Sequence, residues 1–91
     1  MYRILVADDE GIMLEAFKSV ISSTFGDSCI TETAKTGRAV TEKAETFHPD
    51  IVFMDIHMPG INGIQAMREI RKFNTTALFH SAFLLSGQYK H

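Results

Sequence analysis

Hydrophobic positions along the chain change period several times, and each change marks an element. Ile51-Val52-Phe53-Met54 is a short unbroken apolar run with no polar alternation. That pattern predicts a strand buried on both faces, as in a parallel sheet. The run ends on Asp55 and then a turn containing Met58-Pro59-Gly60. Tyr2-Arg3-Ile4-Leu5-Val6-Ala7 repeats the plan near the start and ends on Asp8-Asp9-Glu10. Between these strands the period becomes helical. Ile12, Met13, Ala16, Phe17, Val20 and Ile21 recur at the spacing of one helix face. Gly26-Asp27 marks a turn, and Ile30-Thr31-Glu32-Thr33-Ala34, half polar and rich in β-branched residues, suits an edge strand. Thr36 is placed to cap a second helix carrying Ala39, Val40, Ala44 and Phe47, and His48-Pro49 stops it.

Asn62 and Gln65 have the spacing of a capping box and open a third helix, with Ile64, Met67, Ile70 and Phe73 along its apolar side. Asn74-Thr75-Thr76 reads as a turn. A fourth strand is expected at Ala82-Phe83-Leu84-Leu85-Ser86, ended by Gly87. An alternative that ends the strand at Ser81-Ala82, with Ser81 as the hydroxyl at its end, is disfavoured, because only nine residues would separate Arg71 from Ser81 and His80 would fall where burial should be deepest. The order is β-α-β-α-β-α-β, the alternation of an α/β, doubly wound parallel sheet.

Composition narrows the possibilities. At 91 residues, 45% hydrophobic and 22% charged, the chain is one small globular domain at most. A net charge of −2 gives no long-range reason to expect nucleic acid or an anionic membrane as partner. No apolar run approaches the roughly 18 residues of a bilayer span, and Asp8, Asp9 and Glu10 interrupt any signal-peptide pattern. A lone cysteine, Cys29, makes no internal disulfide and fits a reducing cytoplasm. His48, His57, His80 and His91 lack metal-binding spacing.

The acids carry the candidate chemistry. Open α/β sheets place their ligand crevice at the carboxyl ends of the strands. If the two apolar strands lie side by side, Asp8, Asp9 and Asp55 converge there. Without a cation they repel one another and raise at least one pKa. A hard divalent cation such as Mg²⁺ suits such oxygen donors. A carboxylate beside it can act as nucleophile toward phosphorus and form an acyl phosphate. A hydroxyl at the end of a neighbouring strand, Ser86, could then bond to the phosphoryl group.

These residues resemble the receiver domain of two-component response regulators. Ile4 to Glu10 is similar to the family's first strand and acidic pair. Val52 to Gly63 is similar to its phosphoacceptor strand and following loop, and Leu84-Leu85-Ser86-Gly87 to its fourth-strand end. The resemblance implies a flavodoxin-like (CheY-like) doubly wound sheet of order 2-1-3-4. It implies that Asp55 accepts a phosphoryl group from a sensor histidine kinase and that Ser86 is the switch hydroxyl. Asp8, Asp9, Asp55 and the backbone carbonyl of His57 would hold Mg²⁺. Control of an attached output domain follows, and Gly87-Gln88-Tyr89 points to a DNA-binding regulator of the AraC type.

The chain departs from the family near its end. Residues 1–91 contain no fifth strand and no last two helices, so the resemblance implies a receiver incomplete at its C-terminus. Lys90 lies too close to Ser86 to be the family's fifth-strand lysine. An apolar fourth strand left at the sheet edge is a template for pairing, so a homo-oligomer or swapped dimer is expected. Two other functions stay open. One is a Mg²⁺-dependent aspartyl phosphatase, although His57 and Glu10 stand where such enzymes place a second Asp. The other is a pseudo-receiver that binds without accepting phosphate.

Overall fold

The computed structural model describes residues 1–55, 60 and 62–81. Four parallel strands, β1 (Tyr2–Ala7), β2 (Cys29–Ala34), β3 (Ile51–Met54) and β4 (Leu78–Ser81), form one sheet in the order β2-β1-β3-β4. The helices are α1 (Gly11–Phe25), α2 (Gly37–Phe47) and α3 (Gly63–Arg71). The expected order 2-1-3-4 is therefore the observed one. β1 is central, and Ile4, Leu5, Val6 and Ala7 are wholly buried, as an unbroken apolar run between two covered faces requires.

Alternate residues of the central strands feed two cores. Leu5, Ala7, Val52 and Met54 pack with Val40, Ala44 and Phe47 of α2 and with Ala66 and Ile70 of α3. Ile4, Val6 and Phe53 pack with Leu14, Phe17 and Ile21 of α1. Capping follows the sequence. Thr36 accepts a hydrogen bond from the Ala39 amide. Asn62 and Gln65 form a complete capping box, each side chain accepting from the other's backbone N–H. His48, forced out of helical geometry ahead of Pro49, closes α2 in the left-handed region at φ 52°.

Three expectations need correction. On α1 the buried stripe is Leu14, Phe17 and Ile21 with Met13 half-buried, whereas Ile12 is 84% exposed and Ala16 and Val20 are open to solvent. Two neighbouring apolar stripes share this helix, and periodicity alone does not say which one meets the sheet. On α3 the buried face is Gly63, Ala66 and Ile70, while Ile64 and Phe73 are exposed. The helix ends at Arg71, so Phe73 leaves its face, and the small Ala66 lets the helix approach the sheet closely.

The third correction concerns the fourth strand, which begins at Leu78 rather than at Ala82. Asn74 makes the turn that brings it in: its side-chain oxygen accepts from the Thr76 and Ala77 amides, and its amide nitrogen donates to the Pro49 carbonyl. Leu78 N–H then donates to the Asp50 carbonyl at 2.9 Å, and residues 78 to 81 pair in register with 51 to 54. His80 does not disqualify the strand, because β4 is the edge of the described sheet. Its ring is exposed and lies 5.8 Å from that of Phe53. The segment Ala82 to Ser86 lies outside the described residues.

Candidate functional site

Parallel register decides where the acids end up. Ala7 pairs with Ala34 on one side and with Met54 on the other, so the strands finish level at one edge of the sheet. The next residues prolong the ladders. Asp8 N–H donates to the Ala34 carbonyl at 3.0 Å, and Asp55 N–H donates to the Ala7 carbonyl at 2.9 Å. Both acids are thus held by their own backbone at the carboxyl edge, where the sequence placed them.

Asp8 is 5% exposed, a rare degree of burial for a carboxylate. One oxygen of its carboxylate accepts from the Glu10 N–H at 2.9 Å. Burial pushes the Asp8 carboxyl above its usual range, and the negative charges of Asp55 and Asp9 push the same way against that backbone bond. Electrostatically, then, Asp8, Asp9 and Asp55 are one patch. Carboxylate oxygens of Asp8, Asp9 and Glu10 lie within 4.8 Å of one another. Two oxygens bound to one Mg²⁺ at about 2.1 Å stand at most about 4.2 Å apart, so a slight closing of this cluster fits the ion. The donors are hard oxygens, which suits Mg²⁺ better than a softer metal.

Glu10 is the residue that sequence reasoning left without a role in this cluster. The signal was its position directly after the acidic pair, at the N-cap of α1. His57 and Ser86, the other expected site residues, lie outside the described residues. Among the described helices none is long and apolar enough to cross a membrane.

Comparison with known proteins agrees with the geometry. The family model of the response regulator receiver domain matches residues 4–83. A protein-glutamate methylesterase/protein-glutamine glutaminase of Alkalilimnicola ehrlichii is 38% identical over 86 residues, which cover 93% of this chain and 22% of that protein. The chemotaxis protein CheY of Thermotoga maritima is 39% identical over 75 residues, covering 82% of this chain and 61% of that one. Among solved structures, the response regulator protein TrrA of T. maritima, in complex with Mg²⁺ and BeF, superposes with a TM-score of 0.77 at 35% identity. That match covers 87% of this chain and 66% of TrrA. The chain therefore spans only part of these relatives' length. They lend no support to an AraC-type attachment. With the order 2-1-3-4, the acids at the carboxyl edge and a family match across most of its length, the chain belongs to the response regulator receiver domain family.

Proposed function

We propose that residues 1–91 form part of one receiver domain, in which Asp55 accepts a phosphoryl group from a sensor histidine kinase. The observation that carries this reading is Asp55 at the end of β3, level with the buried Asp8 at the end of β1. In the transfer, a carboxylate oxygen of Asp55 forms a bond to phosphorus while the phosphorus–nitrogen bond to the donor imidazole breaks. The imidazole leaves with the electron pair and takes up a proton. Asp8, Asp9 and Asp55, with the backbone carbonyl of His57, would hold Mg²⁺, which when bound neutralises charge on the phosphoryl oxygens. The assignment of the switch hydroxyl to Ser86 rests on a strand at Ala82 to Ser86. With β4 at Leu78–Ser81 the residue that ends the strand, in register with Met54, is Ser81, and the switch role passes to it.

The chain's residues accept and hold a group rather than turn over a substrate, so its output is a shifted conformational equilibrium in an attached domain. The relatives' printed names favour two output types. The methylesterase/glutaminase relatives extend far beyond the matched region, and a transcriptional regulatory protein, YdfI of Bacillus subtilis, is 30% identical. The first supports a methylesterase-type output at least as well as the DNA-binding one. A solved complex of the histidine kinase ThkA with TrrA supports a kinase as partner, and with it a cytoplasmic setting. Self-association through the β4 edge, where Leu78 is 65% exposed, is a further part of the proposal.

The test is intact mass after incubation with Mg²⁺ and acetyl phosphate, on this chain and on Asp55→Asn. One added phosphoryl group that requires Asp55 is the expected result. An adduct that survives in Asp55→Asn would overturn the assignment. No adduct at all, with Mg²⁺ still bound, would favour the pseudo-receiver. Steady release of inorganic phosphate without a stable adduct would favour the phosphatase.

A further inference from the structure

We infer that Lys35 is the built-in counter-cation of the acidic patch, a positioning residue that eases repulsion among the carboxylates and weakens their hold on a divalent cation. The inference rests on the proposed cation site and adds a residue to it. Lys35 directly follows β2, and its neighbour Ala34 accepts the hydrogen bond from Asp8 N–H. It therefore leaves the sheet beside the most buried of the acids. Its side chain runs back over the start of α1. The terminal carbon and nitrogen lie 4.0 and 3.6 Å from where a Cβ on Gly11 would stand. Gly11 is the first residue of α1 and follows Asp8-Asp9-Glu10 without a gap.

A helix N-terminus carries partial positive charge and disfavours an ammonium group. What favours this placement is the run of three carboxylates immediately before the helix. Elsewhere, Lys18, Arg38, Lys43 and Lys72 are each matched to a glutamate in an ion pair. Among the described residues Lys35 is in no such pair. Two effects follow together. In the metal-free protein the ammonium offsets part of the repulsion among Asp8, Asp9 and Glu10. When a divalent cation enters, the same ammonium repels it with twice the force it would exert on a monovalent ion. Lys35 thus lowers the cation affinity and narrows the difference between the metal-free and metal-bound states.

Calorimetric Mg²⁺ titration and thermal unfolding of wild type, Lys35→Gln and Lys35→Arg test this. Glutamine keeps most of the side chain's length and its packing over Gly11 while removing the charge. At low salt, Lys35→Gln should bind Mg²⁺ roughly fivefold tighter than wild type, the size expected for two charges acting on one across several ångströms of water. The gap should narrow in about 0.3 M salt, and Lys35→Arg should match wild type. In chelator, Lys35→Gln should melt below wild type, and saturating Mg²⁺ should raise its midpoint more than it raises that of wild type. A purely structural role would lower the midpoint without tightening Mg²⁺ binding, and that pattern would overturn the inference, as would equal affinities. If wild type binds no Mg²⁺, the proposed cation site fails. The role of Lys35 is then decided in chelator, where an unchanged midpoint for Lys35→Gln rejects it and a lowered, salt-sensitive midpoint supports it.

Discussion

Replacing Asp8 by Asn should make the metal-free protein more stable and deprive it of its response to Mg²⁺. Asp8 is 5% exposed, accepts from the Glu10 amide, and shares the carboxyl edge with Asp9 and Asp55. Burial and these two neighbouring charges raise its pKa in the folded state. The sign of the pH effect follows. Between the unfolded and the raised folded pKa, the native protein binds more protons than the unfolded chain, so stability falls as pH rises through that window. Above it the penalty is fully developed, and at neutral pH the ionised Asp8 is a cost to the fold. Asparagine preserves the shape and the oxygen that accepts from Glu10, and it removes the charge. Relief of partial desolvation and of two like charges amounts to about 1–2 kcal/mol. In a domain of this size each kcal/mol moves the thermal midpoint by about 4–8 °C. The assay is thermal unfolding in chelator and in Mg²⁺, at neutral and mildly acidic pH. In chelator at neutral pH, Asp8→Asn should melt higher than wild type, and the gap should close as the pH falls. Mg²⁺ should stabilise wild type and hardly affect the variant. A variant that melts no higher in chelator, yet gains as much from Mg²⁺ as wild type, would refute the electrostatic account.

Other substitutions read out the scaffold. Asn62→Ala removes the bond that the Asn62 side chain accepts from the Gln65 amide, the side-chain half of the N-cap, and should cost about 1 kcal/mol in urea unfolding. Ile70→Ala, at a fully buried position between α3 and the sheet, should cost about 2–5 kcal/mol, with a stable variant indicating that the α3 face is misplaced. Leu78→Lys on the exposed edge strand should leave the unfolding free energy within about 0.5 kcal/mol of wild type. If β4 mediates self-association, it should also shift sedimentation toward the monomer.

The parts of this fold that were legible in the sequence are those where one physical rule acts alone. Ile51–Met54 and Tyr2–Ala7 lack alternation, and only burial on both faces explains that. Thr36 and Asn62 announce helix starts because their side chains have a backbone amide to satisfy. The acids at the two strand ends were readable for the same reason, since a buried strand that finishes on a carboxylate must place it at the sheet edge. The misread parts are those where two patterns overlap. Ile12-Ala16-Val20 and Leu14-Phe17-Ile21 are both acceptable stripes on α1, and only the sheet beneath chooses between them. In the run from Ala77 to Leu85 any four residues make a plausible strand. The choice of Leu78–Ser81 comes from the Asn74 turn and from the Asp50 carbonyl that receives Leu78, long-range contacts that no local period contains. Glu10 was visible as an acid, but its place beside Asp8 depends on the backbone bond that folds it back.

The spacing of the site acids is a consequence of register, and register here is fixed at the far end of the sheet. Strands buried on both faces lose the inside–outside alternation that normally penalises a slip by one residue. β1 and β3 have another device. Arg3 N–H donates to the Asp50 carboxylate at 2.8 Å, and Asp50 N–H donates to the Arg3 carbonyl at 2.7 Å. The Arg3 guanidinium also donates to the Phe47 carbonyl at 2.6 Å and stacks over the Phe47 ring at 4.4 Å. The Asp50 carbonyl receives β4 through Leu78. One residue thus aligns three strands at their amino ends, and the acids at the carboxyl ends inherit that alignment. Asp50→Ala removes the side-chain half of this lock while leaving every site residue in place. It should cost about 1 kcal/mol in stability and should also weaken Mg²⁺ binding by loosening the match between Asp8 and Asp55. A variant with the stability loss but unaltered Mg²⁺ affinity would show that the acids are held by their own ladder bonds, Asp8 to Ala34 and Asp55 to Ala7, independently of the amino-end lock.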